Sequence, residues 1–208
     1  MTISTDRFLA QSGTPEWYSI REGGISATAV AKAAAGPGGY NDVIRSFVTP
    51  EEIPDNPYMA FGRDHEKWIV NGLPHEYRIA PNDWLICAEG YTDAWKIATP
   101  DGLNPDHTLI AEVKTTGKDW GDWKSVPIQY RRQVQWQLHV TGAEAAIFGW
   151  LLRATSKSTG DFIPAWLEPK WCRVERDEEM ITALVEVAEK LQMEKVHLSQ
   201  WLTEQENN

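Results

Sequence analysis

The chain is short of cysteine, of positive charge and of long apolar runs, and each shortage removes a class of protein. Its two cysteines, Cys87 and Cys172, stand far apart in 208 residues with no Cys-x-x-Cys between them. That is too few for a disulfide framework, a zinc site or an iron-sulfur cluster, and it fits a reducing compartment. No stretch approaches the roughly 18 apolar residues that span a bilayer. Residues 1–10 lack the cationic-then-apolar order of a signal peptide, so the expectation is a soluble, cytoplasmic protein with no membrane partner. Lys and Arg number 20 against 30 Asp and Glu, a formal net charge of −10. Indiscriminate nucleic-acid binding needs clustered cations and is disfavoured; only a local positive channel would serve. No internal repeat is present. An apolar content of 42% in 208 residues suffices for one substantial core, and a single α/β or α+β domain over 1–208 is expected.

What is present centres on 99–116, Thr-Pro-Asp-Gly-Leu-Asn-Pro-Asp-His-Thr-Leu-Ile-Ala-Glu-Val-Lys-Thr-Thr. Residues 109–115 have the β-branched and apolar content of a strand, and strand side chains alternate faces, so Glu112 and Lys114 point one way and Val113 the other. A preceding strand over 95–99 would turn at Asp101-Gly102 and Asn104-Pro105-Asp106, and the hairpin would set Asp101 beside Glu112. Two converging carboxylates are costly unless positive charge lies between them, and hard oxygen donors suit Mg²⁺, with Mn²⁺ as the alternative. Asp93 lies near enough in sequence to compete with Asp101 for that role.

Upstream, Ser26 or Thr28 caps an alanine-rich helix running to Ala35 and stopped by Gly36. A helix N-terminus flanked by hydroxyls, with the donor fork of Arg21 close by, suits a phosphate. A helix over 40–48, a loop over 49–57 and a helix over 57–71 follow, then a turn region over 72–81 and strands over 84–88 and 91–95. Beyond Lys114, a loop over 117–127 carries Trp120 and Trp123, which could meet DNA or the protein core. A helix over 128–140 places Gln133 and Gln137 on one face, and its Arg131 and Arg132 are candidates for contacts to a phosphate backbone. A buried strand over 145–153, a loop over 155–164, a neighbouring strand over 166–174 and a long helix over 177–202 complete the chain. Residues 6–12 read as a helical turn or an arm.

Asp101 followed by Glu112-Val113-Lys114 resembles the PD-(D/E)xK nuclease superfamily. The resemblance narrows upstream, where Trp17, Arg21, Gly24 and Ile25-Ser26-Ala27-Thr28 are similar to the opening of the lambda-type phage exonucleases, the YqaJ-like viral recombinase family, with the Ser and Thr positions exchanged. Its matches run in order from Trp17 to Gln135, so the motif-bearing part is 17–140, with C-terminal strands and a long helix over 145–202.

That resemblance implies a restriction-endonuclease-like core, a mixed central sheet flanked by helices. It implies Asp101, Glu112 and the Val113 carbonyl as metal ligands, and Lys114 as the residue that orients or deprotonates the attacking water. By the family's Gly-x-x-x-Glu, matched by Gly62 to Glu66, Glu66 joins as a metal or water ligand. By its Gln-Val-Gln, Gln133 hydrogen-bonds near the lysine. Arg21 and Thr28, with Ser26 as the other hydroxyl, would hold the 5′-phosphate of a DNA end. The implied activity is Mg²⁺-dependent 5′-to-3′ hydrolysis of duplex DNA ends, releasing mononucleotides and leaving a 3′ single strand for recombination, by a homotrimer working with a single-strand annealing protein in the host cytoplasm. Two rivals stay open: another endonuclease or nickase of the superfamily, and a non-enzymatic acidic DNA mimic or binding protein, to which the net charge points.

Overall fold

A computed structural model describes residues 2–49 and 54–206. In chain order the elements are β1 (Phe8–Gln11), α1 (Pro15–Gly23), β2 (Ile25–Ser26), α2 (Ala27–Ala33), α3 (Pro37–Val48), α4 (Pro57–Asn71), β3 (Ala80–Pro81), β4 (Trp84–Cys87), β5 (Lys96–Ala98), β6 (Gly102–Leu103), β7 (Leu109–Thr116), α5 (Ile128–Thr141), β8 (Ala145–Thr155), β9 (Phe162–Pro164), β10 (Lys170–Glu175) and α6 (Glu178–Glu206). They form a mixed sheet flanked by helices, the class the sequence predicts. The central sheet runs β10-β8-β7-β6-β3, with β9 paired to the far end of β8, and a second sheet runs β1-β4-β5-β2.

The centre is β7 and β8, parallel from Leu109↔Ala145 to Thr116↔Leu152 and joined through α5. Parallel strands require such a crossover, and their burial on both faces explains why β8 is apolar without alternation from Ala145 to Leu151. On one face, Val134 and Leu138 of α5 pack on Ile110, Phe148 and Trp150. On the other, Phe61, Ile69 and Val70 of α4 pack on Val113 and Leu151. The period of two therefore sends Val113 toward α4, while Ile110, Glu112 and Lys114 share the α5 face. Trp120 and Trp123 lie against Phe148, with ring centroids 5.9 and 5.3 Å away, so they cover the sheet rather than project from it.

Several elements differ from their sequence reading. The hairpin partner of β7 is the two-residue β6, in register Gly102↔Ala111, whereas the strand expected over 95–99 appears as β5 in the other sheet, parallel to β2. The chain changes sheets between Ala98 and Gly102, which a local pattern does not report. In place of a strand over 91–95 there is a 3₁₀ turn, Tyr91–Asp93, entered through Gly90 at φ +94°. The alanine-rich helix ends at Ala33 because Gly36, at φ +125°, caps the next one, and Pro37 occupies its first turn. The loop expected over 155–164 includes β9, and residues 6–12, which begin in the expected helical turn as a 3₁₀ turn over Thr5–Arg7, go on to supply β1, an edge strand paired with β4. Of the loop expected over 49–57, residues 50–53 lie outside those described, as do residues 1 and 207–208. Among the described residues no helix is long and apolar enough to cross a membrane; α6 is long but amphipathic, burying Leu184, Ala188 and Leu191 against Ile25, Val30 and Trp136.

Candidate active site

The site follows from where β6 ends. The Asp101 N–H donates to Ala111 O at 2.9 Å, the last rung between the two strands, and the Asp101 carboxylate then accepts from the Val113 N–H at 2.7 Å. Continuing the register Gly102↔Ala111 by one residue sets Asp101 opposite Glu112. Alternate residues of a strand aim their N–H and C=O groups at the same neighbour, so the Val113 carbonyl emerges on the same edge as the Ala111 carbonyl. Adding a Cβ at Gly102 would bring it within 2.7 Å of Ile79 Cγ2 and 3.1 Å of Ala80 O, so only glycine lets the chain turn this close beneath Asp101.

Glu112 is 4% exposed, a buried carboxylate on a sheet face. Two donors satisfy it. The Lys114 ammonium lies against Oε1, and Gln137 Nε2 donates to Oε2 at 2.7 Å. Burial works against the Lys114 charge, but Glu112 and Asp101 outweigh it and the lysine pKa is raised. Burial first, and then Glu112, push the Asp101 carboxyl well above the usual range. Glu66, half-buried on α4, is also raised, first by burial, with Lys114 pulling it down and Glu112 pushing it up. Asp101, Glu112, Glu66 and Lys114 are thus one electrostatic cluster. Asp93 is not part of it and pairs with Lys96 at 3.1 Å.

The three carboxylates and the Val113 carbonyl are all hard oxygen donors, the set that suits Mg²⁺ or Mn²⁺. Three further oxygens, on Thr99, Gln133 and Gln137, line the same cavity as Asp101 and Glu112 and are buried without a hydrogen-bond partner. Among the described residues no three His, Cys, Asp or Glu side chains are drawn close enough to grip an ion as they stand, and Lys114 supplies the neutralising charge. The donor chemistry fits a divalent cation, provided Glu112 and Lys114 separate to admit it.

Arg21, Ser26 and Thr28 open onto the same cavity, of about 170 Å³, as Asp101, Glu112 and Lys114. Arg21 is held at the end of α1, its guanidinium 4.8 Å from the Trp17 ring centre. Gly24 permits the close passage of this corner over β5, since a Cβ there would fall 2.5 Å from Ile97 Cδ1 and 3.0 Å from Trp95 O. Ser26 is the N-cap of α2, accepting from the Ala29 N–H at 3.4 Å. Thr28 is exposed, and its hydroxyl accepts from Gln133 Nε2 at 3.1 Å. The Thr28 hydroxyl and the helix α5 are therefore linked through Gln133, while the glutamine on Glu112 is Gln137, one turn further along. Sequence reasoning placed both on one face but picked out only the first; the spacing of four was the available signal. Arg131 is turned away from the carboxylates, near Gln135 and Asp177, about 200° around α5 from Gln133. Arg132 is half-buried between the two faces.

No curated protein sequence matches the chain. Among solved structures, the alkaline exonuclease LHK-Exo from Laribacter hongkongensis aligns with TM-score 0.69 and 21% identity, over 93% of this chain and 98% of that one. LHK-Exo in complex with dAMP gives the same TM-score and coverage at 22% identity. A phage-related exonuclease from Haemophilus somnus 129PT aligns with TM-score 0.65 and 16% identity, over 86% of this chain and 96% of that one. At such identities the likeness is one of fold. A sequence model of the YqaJ-like viral recombinase domain matches residues 16–144. That span is more than half of the chain and takes in Arg21, Glu66, Asp101, Glu112, Lys114 and both glutamines, so the chain belongs to the YqaJ-like viral recombinase family.

Proposed function

We propose that the protein is a metal-dependent exonuclease that degrades duplex DNA from a 5′ end, releasing mononucleotides. The observation that carries this reading is the sharing of one cavity by Arg21, Ser26 and Thr28 with Asp101, Glu112 and Lys114. A terminal phosphate held at the first group puts the next phosphodiester beside the second, and an internal site has no terminal phosphate to offer. Family membership supports the recombination context, and the fold shared with LHK-Exo, solved with dAMP, supports a nucleotide in the cleft.

A divalent cation bound by Asp101, Glu112, Glu66 and the Val113 carbonyl would shield the phosphodiester's charge and acidify water beside it. The protein's own groups do the rest. Lys114, seated against Glu112, donates hydrogen bonds where negative charge builds on the phosphorus oxygens and orients the attacking water. Glu66, half-buried on α4, lines the cleft beside Lys114 and stands as a further metal or water ligand. Gln137 fixes the rotamer of Glu112, and Gln133 that of Thr28. Arg21 supplies the fork for the terminal phosphate. The resemblance to lambda-type exonucleases extends the proposal to a homotrimer and a single-strand annealing partner, which sedimentation of the protein alone and with that partner would read.

The test is digestion of linear 5′-phosphorylated duplex beside the same DNA as a closed circle, with Mg²⁺ or with EDTA. Loss of the linear form only, and only with Mg²⁺, is expected; cutting of the circle would make the protein an endonuclease, and no cutting by folded protein would favour a binding role. In the same assay Arg21→Ala is expected to shrink the preference for 5′-phosphate over 5′-hydroxyl ends by about 10-fold or more, the worth of a charge-assisted phosphate contact. An unchanged preference would remove Arg21 from the end-binding role.

A further inference from the structure

The acidic cluster opens on two sides, and the second opening has its own nucleic-acid chemistry. Lys114 lines both the cavity with Arg21 and a separate cleft of about 470 Å³ on the α4 side, which Glu66, Tyr58, Tyr130 and Arg153 also line. In that cleft the Arg153 guanidinium sits 4.7 Å from the Tyr58 ring centre and 5.5 Å from that of Phe162, and Nη1 donates to Thr115 Oγ1 at 3.2 Å. Tyr58 is 56% exposed and tilted against Phe162, with ring centres 4.8 Å apart.

Several arginines of this acidic chain are taken by a carboxylate: Arg63 by Asp55, Arg173 by Glu175 and Arg176 by Glu178. Arg153 is not. Among the described residues it has no acidic partner within ion-pair distance, yet two rings and a hydroxyl hold it in place. Arg21 is arranged in the same way on Trp17 at the other opening. A fixed guanidinium with free donors is a phosphate ligand, and an exposed ring beside it is a platform for a base.

We infer that the Arg153–Tyr58 cleft binds the nucleotide on the 3′ side of the scissile phosphate, the second of the digested strand, with Tyr58 under its base and Arg153 on the phosphate that follows. This rests on the nuclease reading above, in which the first nucleotide lies between Arg21 and the carboxylates. The strand then runs from one guanidinium to the other across Lys114, and the negative cluster is bracketed by positive charge. An enzyme of formal net charge −10 thereby holds its polyanion at two points rather than along a basic surface.

The test has two arms. In EDTA, a 5′-phosphorylated duplex carrying 5-iododeoxyuridine as the second nucleotide is irradiated with the protein, and the linked peptide is identified by mass spectrometry. A cross-link to Tyr58 is expected, lost in Tyr58→Ala, kept in Tyr58→Phe, and absent when the iodinated base is tenth from the end. With Mg²⁺, Arg153→Gln is expected to raise KM about 10-fold, with the larger part of the loss in KM rather than kcat and a weaker salt dependence, and Arg153→Lys to recover part of it. No cross-link, one at another residue, or one indifferent to Tyr58→Ala overturns the proposal, as does an unchanged KM in Arg153→Gln. Cross-linking at Tyr58 by a protein that digests no DNA would end the nuclease reading and leave the subsite standing; digestion without the cross-link would do the reverse.

Discussion

Lys114→Met is expected to lower the rate of DNA digestion by about 10²–10³-fold or more, the usual cost of removing one donor aimed at developing negative charge. Duplex binding in the absence of cleavage should stay within about 3-fold, because one internal ammonium is a small part of a polyanion contact. The same substitution strands Glu112, which is 4% exposed, with Gln137 as its one remaining side-chain donor. Breaking such a pair costs about 3–5 kcal/mol. Single-turnover rates, binding by anisotropy and thermal melts should therefore be read together with the double variant Glu112→Gln/Lys114→Met. Recovery of stability without recovery of cleavage would separate the two roles of the lysine. If the single variant digests DNA normally, Lys114 is structural.

Asp101→Asn is expected to abolish digestion to a similar degree while raising thermal stability at pH 8 in EDTA. The sign follows from the raised carboxyl pKa, caused by burial and then by Glu112. A group that holds its proton more tightly when folded than when unfolded stabilises the fold where it is protonated, and that stability is lost as pH climbs from the ordinary carboxylate range through the raised value. At pH 8, far above the ordinary carboxylate range, the raised Asp101 carboxyl is therefore a net cost. Asparagine keeps an oxygen for the Val113 N–H, removes the repulsion, and should raise Tm by at least about 2 °C, what roughly 1 kcal/mol gives in a chain of this size. Lowering the pH should raise the wild-type Tm toward that of the variant. Mg²⁺ should raise the wild-type Tm and leave that of D101N nearly unchanged. A variant less stable than wild type at pH 8 would mean that the carboxylate is satisfied in a way the pKa direction does not describe.

Much of this site could be read from the sequence. Glu112 and Lys114 on one face, Asp101 opposite Glu112 and Val113 pointing away all follow from a period of two and a short hairpin, which are local quantities. The faces of α5 were legible for the same reason, at a spacing of four. What misled was connectivity: residues 95–99 have strand character, but β5 pairs with β4 and β2, and the hairpin is closed by only Gly102 and Leu103. Two residues carry no periodic signal, and a strand does not record which sheet it joins.

By itself, then, the sequence determined the mixed α/β class and the order of the carboxylates and lysine along β7, because backbone alternation and turn chemistry act within a few residues. The tertiary structure alone decided that Gln137 rather than Gln133 meets Glu112, and that Arg21 and Arg153 stand at separate openings of one acidic cluster. Each of these depends on the angle and phase at which α1, α4 and α5 pack on the sheet. That is set by side chains filling the core beneath them, such as Val134 and Phe148 under α5, Phe61 and Ile69 under α4 and Ile20 and Leu85 under α1, and no local pattern encodes it.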